Sequence, residues 1–137
     1  MPNAHATYTV SFENLEKSID VVKDFLFENA DKIELNIQKP LFAFFGLRNK
    51  FPEIEQYLEE EKETERWKIR LYTFNEKVKE FLSKRYILSH VFEGARFYRN
   101  DEVIGRLIAH EPIIYLNISL QEVAQLEEKG VMFRSLN

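Results

Sequence analysis

The sequence predicts a single domain covering residues 1–137, with a mixed β-sheet packed by helices. Its class is α+β, or α/β with a mixed sheet. Its length suits one compact domain, and no linker rich in Gly, Ser or Pro divides it. Hydrophobic residues form 45% of the chain, which excludes disorder as its main state. Residues 32–38 and 66–72 alternate between apolar and polar side chains. Strands of this kind have one wet face, which argues against a doubly wound parallel sheet.

About four helices are predicted from apolar stripes with a helical period and from residues typical of helix starts. Ser11 is a candidate N-cap, and Pro52 suits a first helical turn. The Ser/Thr-x-x-Glu pattern of a capping box occurs twice, and a glycine follows the last stripe. The first two predicted helices span 13–29 and Pro52 to Lys62. The other two follow the capping boxes: one begins at the Thr73–Glu76 box and ends at Lys84, and the other begins at the Ser119–Glu122 box and ends at Gly130.

About six to eight strands are predicted from short segments that alternate or are rich in β-forming residues. The clearest signal is a hairpin at 95–110, where two such segments flank an Asn-Asp turn. Residues 41–47 (LFAFFGL) have no classifiable period and are assigned to the core, with an exposed oligomer or partner patch as the alternative. The remaining predicted strands are 6–10, 33–37, 66–72, 86–92, 113–118 and 131–133.

The charge of the chain is organised in patches. The formal net charge is -4, so the overall field does not favour nucleic acid or anionic lipid as a partner. Residues 53–65 contain seven glutamates and one lysine. A helix with this charge could occupy a basic groove on another protein, although such a face also keeps a protein soluble. The candidate partner-binding residues are Glu55, Glu59, Glu60, Glu61 and Glu63.

Three arginines in the predicted hairpin are candidate ligand-binding residues. Arg99 lies near the tip, and Arg96 lies further along the same strand with Arg106 across from it. Arginine binds phosphate or carboxylate through planar pairs of hydrogen bonds, so the three could form a pocket for a small anion. The alternative is an ordinary charged hairpin face.

The predicted strand at 66–72 allows a nucleic-acid hypothesis. Alternation places Arg66, Lys68, Arg70 and Tyr72 on one face and Trp67 in the core. Cationic and aromatic strand faces bind single-stranded nucleic acid. A solvated face with salt bridges to the neighbouring glutamates is favoured, because the chain is acidic and lacks an RNA-binding sheet motif.

Catalytic motifs are absent from the sequence. The chain has no cysteine, which excludes disulfides, thiolate metal sites and cysteine nucleophiles. Its four glycines are too dispersed for a phosphate-binding loop. His90, His110 and Glu93 would make an acid–base or metal site if their strands were neighbours, but ordinary strand histidines are favoured. No catalytic residue, metal site or cofactor is predicted.

These observations favour a non-catalytic binding or protein-interaction module, such as an immunity-type antagonist or an adaptor. It would use the acidic helix and the basic hairpin, and its partner would be another protein or a second copy of the chain. One alternative is an oligomeric binder of a small, nucleotide-like anion, and another is a small hydrolase or nuclease using His90 and His110. A cytoplasmic location is expected, because neither a secretory signal nor a membrane span is visible.

Overall fold

The structure is a computed structural model that describes residues 5–10, 15–38, 53–84, 94–108 and 113–135. These residues form eight strands and three α-helices. The predictions for 41–47, 86–92, His90, Glu93 and His110 lie outside them. The strands are β1 (His5–Val10), β2 (Lys32–Gln38), β3 (Leu58–Glu63), β4 (Trp67–Thr73), β5 (Gly94–Arg99), β6 (Glu102–Ile108), β7 (Ile113–Ser119) and β8 (Phe133–Ser135). The helices are α1 (Leu15–Asn29), α2 (Glu76–Lys84) and α3 (Leu120–Glu128).

All eight strands belong to one sheet in the order β3-β4-β2-β5-β6-β7-β1-β8. Each of the seven neighbouring pairs in this order is antiparallel. The α+β class and the strand number are therefore confirmed, whereas the predicted mixed sheet is wrong for the described strands, which are all antiparallel. The described residues contain three α-helices where about four were predicted. None of these helices is long and apolar enough to cross a bilayer.

One face of the sheet carries the hydrophobic core. Ile33, Leu35 and Ile37 of β2 are fully buried, and they belong to the same cluster as the buried residues of the three described helices. Gly105 of β6 lets α1 lie directly on the sheet. A Cβ atom at this position would be 2.6 Å from Cδ2 of Leu26, closer than packed atoms approach. The opposite face of the sheet carries no described helix.

The acidic segment is an edge strand, so the predicted helix from Pro52 to Lys62 is wrong for the residues described. Residues Glu55–Tyr57 form one 3₁₀ turn, and β3 follows and pairs with β4. A helix would have stacked glutamates four residues apart, where like charges repel. In the strand, Glu61 and Glu63 instead lie opposite Arg70 and Lys68. Pairing with cations has therefore overridden the helix propensity of the glutamates.

Strand β4 faces the opposite way from the prediction. Lys68, Arg70 and Tyr72 are buried on the core face, whereas Trp67 is only half-buried and lies on the opposite face. Burial of the cations is possible because β3 and the 3₁₀ turn before it supply carboxylates beside them. Glu61 Oε2 lies 2.6 Å from Nε of Arg70, and Glu55 Oε2 accepts a hydrogen bond of 3.1 Å from Nη1. Arg66 precedes the strand and is exposed.

Tyr72 is buried beside Arg70 on the core face. Nη1 of Arg70 donates to the hydroxyl oxygen of Tyr72 over 3.1 Å. Burial raises the pKa of Tyr72 to about 12, so the phenol stays neutral at ordinary pH. The arginine is therefore enclosed by two carboxylates and a neutral hydroxyl.

Local signals for the later elements are largely confirmed. Ser119 and Glu122 form both hydrogen bonds of a capping box at the start of α3. The β5–β6 hairpin turns at Asn100 and Asp101, whose φ angles of 52° and 66° suit a two-residue hairpin turn. The capping box predicted at Thr73 is wrong. Asn75 caps α2 instead, because its Oδ1 accepts from the backbone N–H of Val78.

Candidate ligand-binding face

The candidate site lies on the face of the sheet opposite the core, which carries none of the described helices. Strand alternation directs Glu34 and Asn36 of β2 to this face, because Ile33, Leu35 and Ile37 occupy the core face. The strand order places β2, β5, β6 and β7 side by side. Polar and aromatic side chains from four strands are thereby brought together at the middle of the sheet.

Two arginines lie directly opposite each other at the centre of this face. Arg96 of β5 pairs in register with Arg106 of β6. Directly opposed residues of this kind have Cβ atoms about 5 Å apart, and like charges at this spacing destabilise a sheet. The protein therefore concentrates positive charge here at some cost to its stability.

Each arginine has one compensating neighbour. Nη1 of Arg96 lies 3.9 Å from Oε1 of Glu34, which is the residue opposite it on β2. The guanidinium carbon of Arg106 lies 4.9 Å from the ring centroid of Tyr115, within the range of a cation–π contact. These contacts orient both guanidinium groups without enclosing them, since Arg96 is exposed and Arg106 half-buried.

Glu34 is held by a second residue. The hydroxyl of Tyr98 donates to Oε2 of Glu34 over 3.2 Å. Burial and the neighbouring Glu34 carboxylate both raise the pKa of Tyr98, so the phenol remains the donor in this bond. The Glu34 carboxylate is therefore bound by Arg96 on one oxygen and Tyr98 on the other.

Two shallow depressions flank the arginine pair, and both arginines line each of them. The first has a volume of about 290 Å³ and is also lined by Thr7, Tyr115 and Asn117. The second has a volume of about 240 Å³. Besides the two arginines, it is lined by Glu34, Asn36, Gly94, Ala95 and Leu107.

Asn36 lines the second depression and has an unused acceptor. Its side-chain oxygen is buried and has no hydrogen-bond partner in the part of the chain that the structure describes. A buried polar atom left without a partner costs about 1–3 kcal/mol. A ligand that donates a hydrogen bond to this atom would recover part of that free energy.

The structure separates the three predicted arginines. Arg96 and Arg106 come together, but Arg99 lies on the helix side of the sheet. Its Nη1 and Nη2 donate to the two oxygens of Glu122 over 2.8 and 3.2 Å. A depression of about 830 Å³ lies beside this pair, but its arginine is already bound to a carboxylate.

The predicted acidic residues form ion pairs within the chain. Both Glu55 and Glu61 contact Arg70, as described above. Oε1 of Glu63 lies 3.5 Å from Nζ of Lys68. Glu59 contacts Lys32 at 3.4 Å and accepts a hydrogen bond of 2.7 Å from Thr73. Glu60, also on β3, is exposed.

Sequence reasoning did not identify Glu34, Asn36, Tyr115 and Asn117 as site residues. The alternation in 32–38 correctly predicted a polar face for β2, which contains two of the four. Their proximity to the hairpin arginines depends on β2 and β7 flanking the hairpin. Strand order of this kind leaves no local pattern in the sequence.

The remaining chemistry of the described residues is limited. No group of three His, Asp or Glu side chains among them is arranged to hold a metal ion. The site is thus composed of arginine, amide, hydroxyl and aromatic groups, with a single carboxylate. Comparison of the chain with protein-family models, curated proteins and solved structures finds no match.

Proposed function

We propose that this protein is a non-catalytic binding protein whose sheet face opposite the core binds a small anionic ligand through Arg96 and Arg106. The observation that carries the proposal is the direct opposition of the two arginines in register across β5 and β6. An anion bound between them would relieve their repulsion and accept hydrogen bonds from both guanidinium groups.

Preorganisation supports this function. Arg106 is stacked on Tyr115 and Arg96 is oriented by Glu34, so less side-chain entropy is lost when a ligand binds. The same contacts favour binding over catalysis. Glu34 is the carboxylate of the site, and its two oxygens are bound to Arg96 and Tyr98 instead of being directed at a substrate.

Thermal unfolding in the presence of anions tests the proposal. Sulfate, phosphate and acetate should raise the Tm of the wild-type protein above its value in chloride at equal ionic strength, because a ligand stabilises the state that binds it. The double variant Arg96→Gln/Arg106→Gln should lose this increase. Arg134→Gln is the control, because Arg134 is an exposed arginine on the edge strand β8. An equal increase in the double variant would refute the proposed site.

A second candidate function is protein binding through the acidic edge of the sheet. All six residues of β3 are at least partly exposed, and β3 is the terminal strand of the sheet. An extended basic segment of another protein, or of a second copy, could add to this edge as a further strand. Calorimetric titration with an extended lysine-rich peptide tests this function. Binding should weaken in Glu60→Lys, and failure of the wild-type protein to bind the peptide would contradict it.

A further inference from the structure

We propose that the arginine pair and its two depressions form one site for a dinucleotide. The phosphodiester would lie over Arg96 and Arg106, and one base would lie in each depression. This inference rests on the proposed function and specifies the chemical class of the ligand.

The sheet register places the depressions on opposite sides of the arginines. Arg96, Arg106 and Tyr115 form one row across β5, β6 and β7. The pair Asn36 and Gly94 belongs to the next row on one side. The pair Thr7 and Asn117 belongs to the next row on the other side. Rows on one face of a sheet are about 7 Å apart, so the two pairs lie one row to either side of the arginines.

The charge of the site suits a monoanion. Two guanidinium groups and the carboxylate of Glu34 leave one net positive charge at the centre of the face. A phosphodiester carries one negative charge and neutralises it. The second charge of a phosphate monoester would instead approach the Glu34 carboxylate, and this repulsion would weaken binding.

Each depression is lined by an asparagine, whose amide is a group that can pair with the edge of a base. The buried Oδ1 of Asn36 needs a donor, and nucleobases present N–H donors on their hydrogen-bonding edges. Asn117 lines the other depression beside the ring of Tyr115. Gly94 has no side chain, which leaves the floor next to Asn36 open to a flat ring.

The size of the site also favours a ligand with two arms. Pockets for small ligands commonly measure about 300–1,000 Å³. The depressions of about 240 and 290 Å³ fall below this range when taken singly and within it when taken together. A long nucleic acid is disfavoured, because the net charge of -4 opposes a polyanion that extends past the site.

Calorimetric titration with the dinucleoside monophosphate ApA, with AMP and with dimethyl phosphate tests the inference. ApA should bind about tenfold more tightly than AMP, because the second base adds its own contacts. The Arg96→Gln/Arg106→Gln variant should bind none of the three. Asn36→Leu should weaken ApA binding about five- to tenfold and leave the affinity for dimethyl phosphate unchanged.

The Tm of the ligand-free Asn36→Leu variant shows whether the substitution weakens the fold or only ligand binding. This Tm should be equal to or above the wild-type value, because the substitution removes a buried acceptor that lacks a partner. Gln56→Leu is the matched control, since Gln56 is an exposed amide in the 3₁₀ turn, and it should leave all affinities unchanged.

Two results would overturn the inference. The first leaves the proposed anion site in place, and the second removes it. If AMP or dimethyl phosphate binds as tightly as ApA in an arginine-dependent manner, and Asn36→Leu has no effect, the dinucleotide class is wrong and the anion site stands. If no anion binds in a manner that depends on Arg96 and Arg106, both the inference and the proposed function are wrong.

Discussion

Glu122 closes the capping box of α3 and binds the guanidinium group of Arg99 with the same carboxylate. Its Oε2 lies 2.8 Å from Nη1 of Arg99, while Oε1 accepts from the backbone N–H of Ser119 over 3.1 Å. One side chain thereby satisfies a helix N-terminus and attaches the end of β5 to that helix. The loss of this carboxylate should destabilise both the N-terminus of α3 and the contact between α3 and β5.

Glu122→Ala is expected to lower the free energy of unfolding by about 2–3 kcal/mol, because a cap interaction and a charge-assisted pair are lost together. Urea unfolding followed by circular dichroism measures the change. Glu127→Ala is the matched control, since Glu127 is an exposed glutamate on the same helix. Equal destabilisation by both substitutions would contradict the role assigned to Glu122.

The contribution of Glu122 should also depend on pH. The hydrogen bonds from Arg99 hold the pKa of Glu122 below its ordinary value of 4.5, and Ser119 adds to this effect. A carboxyl with a lowered folded-state pKa stabilises the protein above its unfolded pKa, and this stabilisation is lost as the pH falls through the folded pKa. The difference in unfolding free energy between wild type and Glu122→Gln should therefore shrink below the ordinary carboxyl range. A difference that stays constant in acid would be inconsistent with this linkage.

Arg70→Met should destabilise the protein by about 2–4 kcal/mol, because Glu55 and Glu61 would lose the cation between them. Urea unfolding gives the magnitude, and amide hydrogen exchange locates the effect. Exchange should accelerate most in β3, whose residues are mostly exposed and which is bound to β4 through these charges. Arg66→Met, at an exposed arginine, should have little effect. Unchanged exchange in β3 would show that the ion pairs do not hold the edge strand.

Gly105→Ala should cost about 1–3 kcal/mol, because the new methyl group would meet Leu26 of α1. Thermal or urea unfolding measures this loss. Leu26→Ala creates a cavity of its own and destabilises the protein. Adding Gly105→Ala to this variant should lower the free energy of unfolding very little further. A double-mutant cycle therefore tests the contact directly. Additive effects of the two substitutions would show that they do not touch.

Patterns within one element predicted much of the fold. The apolar stripe of α1, the alternation of β2, the Asn100–Asp101 turn and the Ser119–Glu122 box all depend on neighbours a few residues apart, and all four are present in the structure. For the candidate site, hairpin geometry alone placed Arg96 across from Arg106.

The errors came from interactions between separate strands. Glu61 and Arg70 are both unfavourable in their surroundings until β3 pairs with β4, after which each stabilises the other. The alternation of β4 was recognised, but its buried face was assigned by polarity, which the ion pairs reverse. Asn36 was missed as a site residue, because it lies in the candidate site only through the pairing of β2 with β5.

The position of β1 has a consequence for the order of folding during synthesis. Its two neighbours in the sheet, β7 and β8, come from the last part of the sequence. While the ribosome makes the intervening residues, β1 has neither of these strands to pair with, and pairings of such long range form slowly. During synthesis, β1 therefore cannot take its place in the sheet until β7 has been translated.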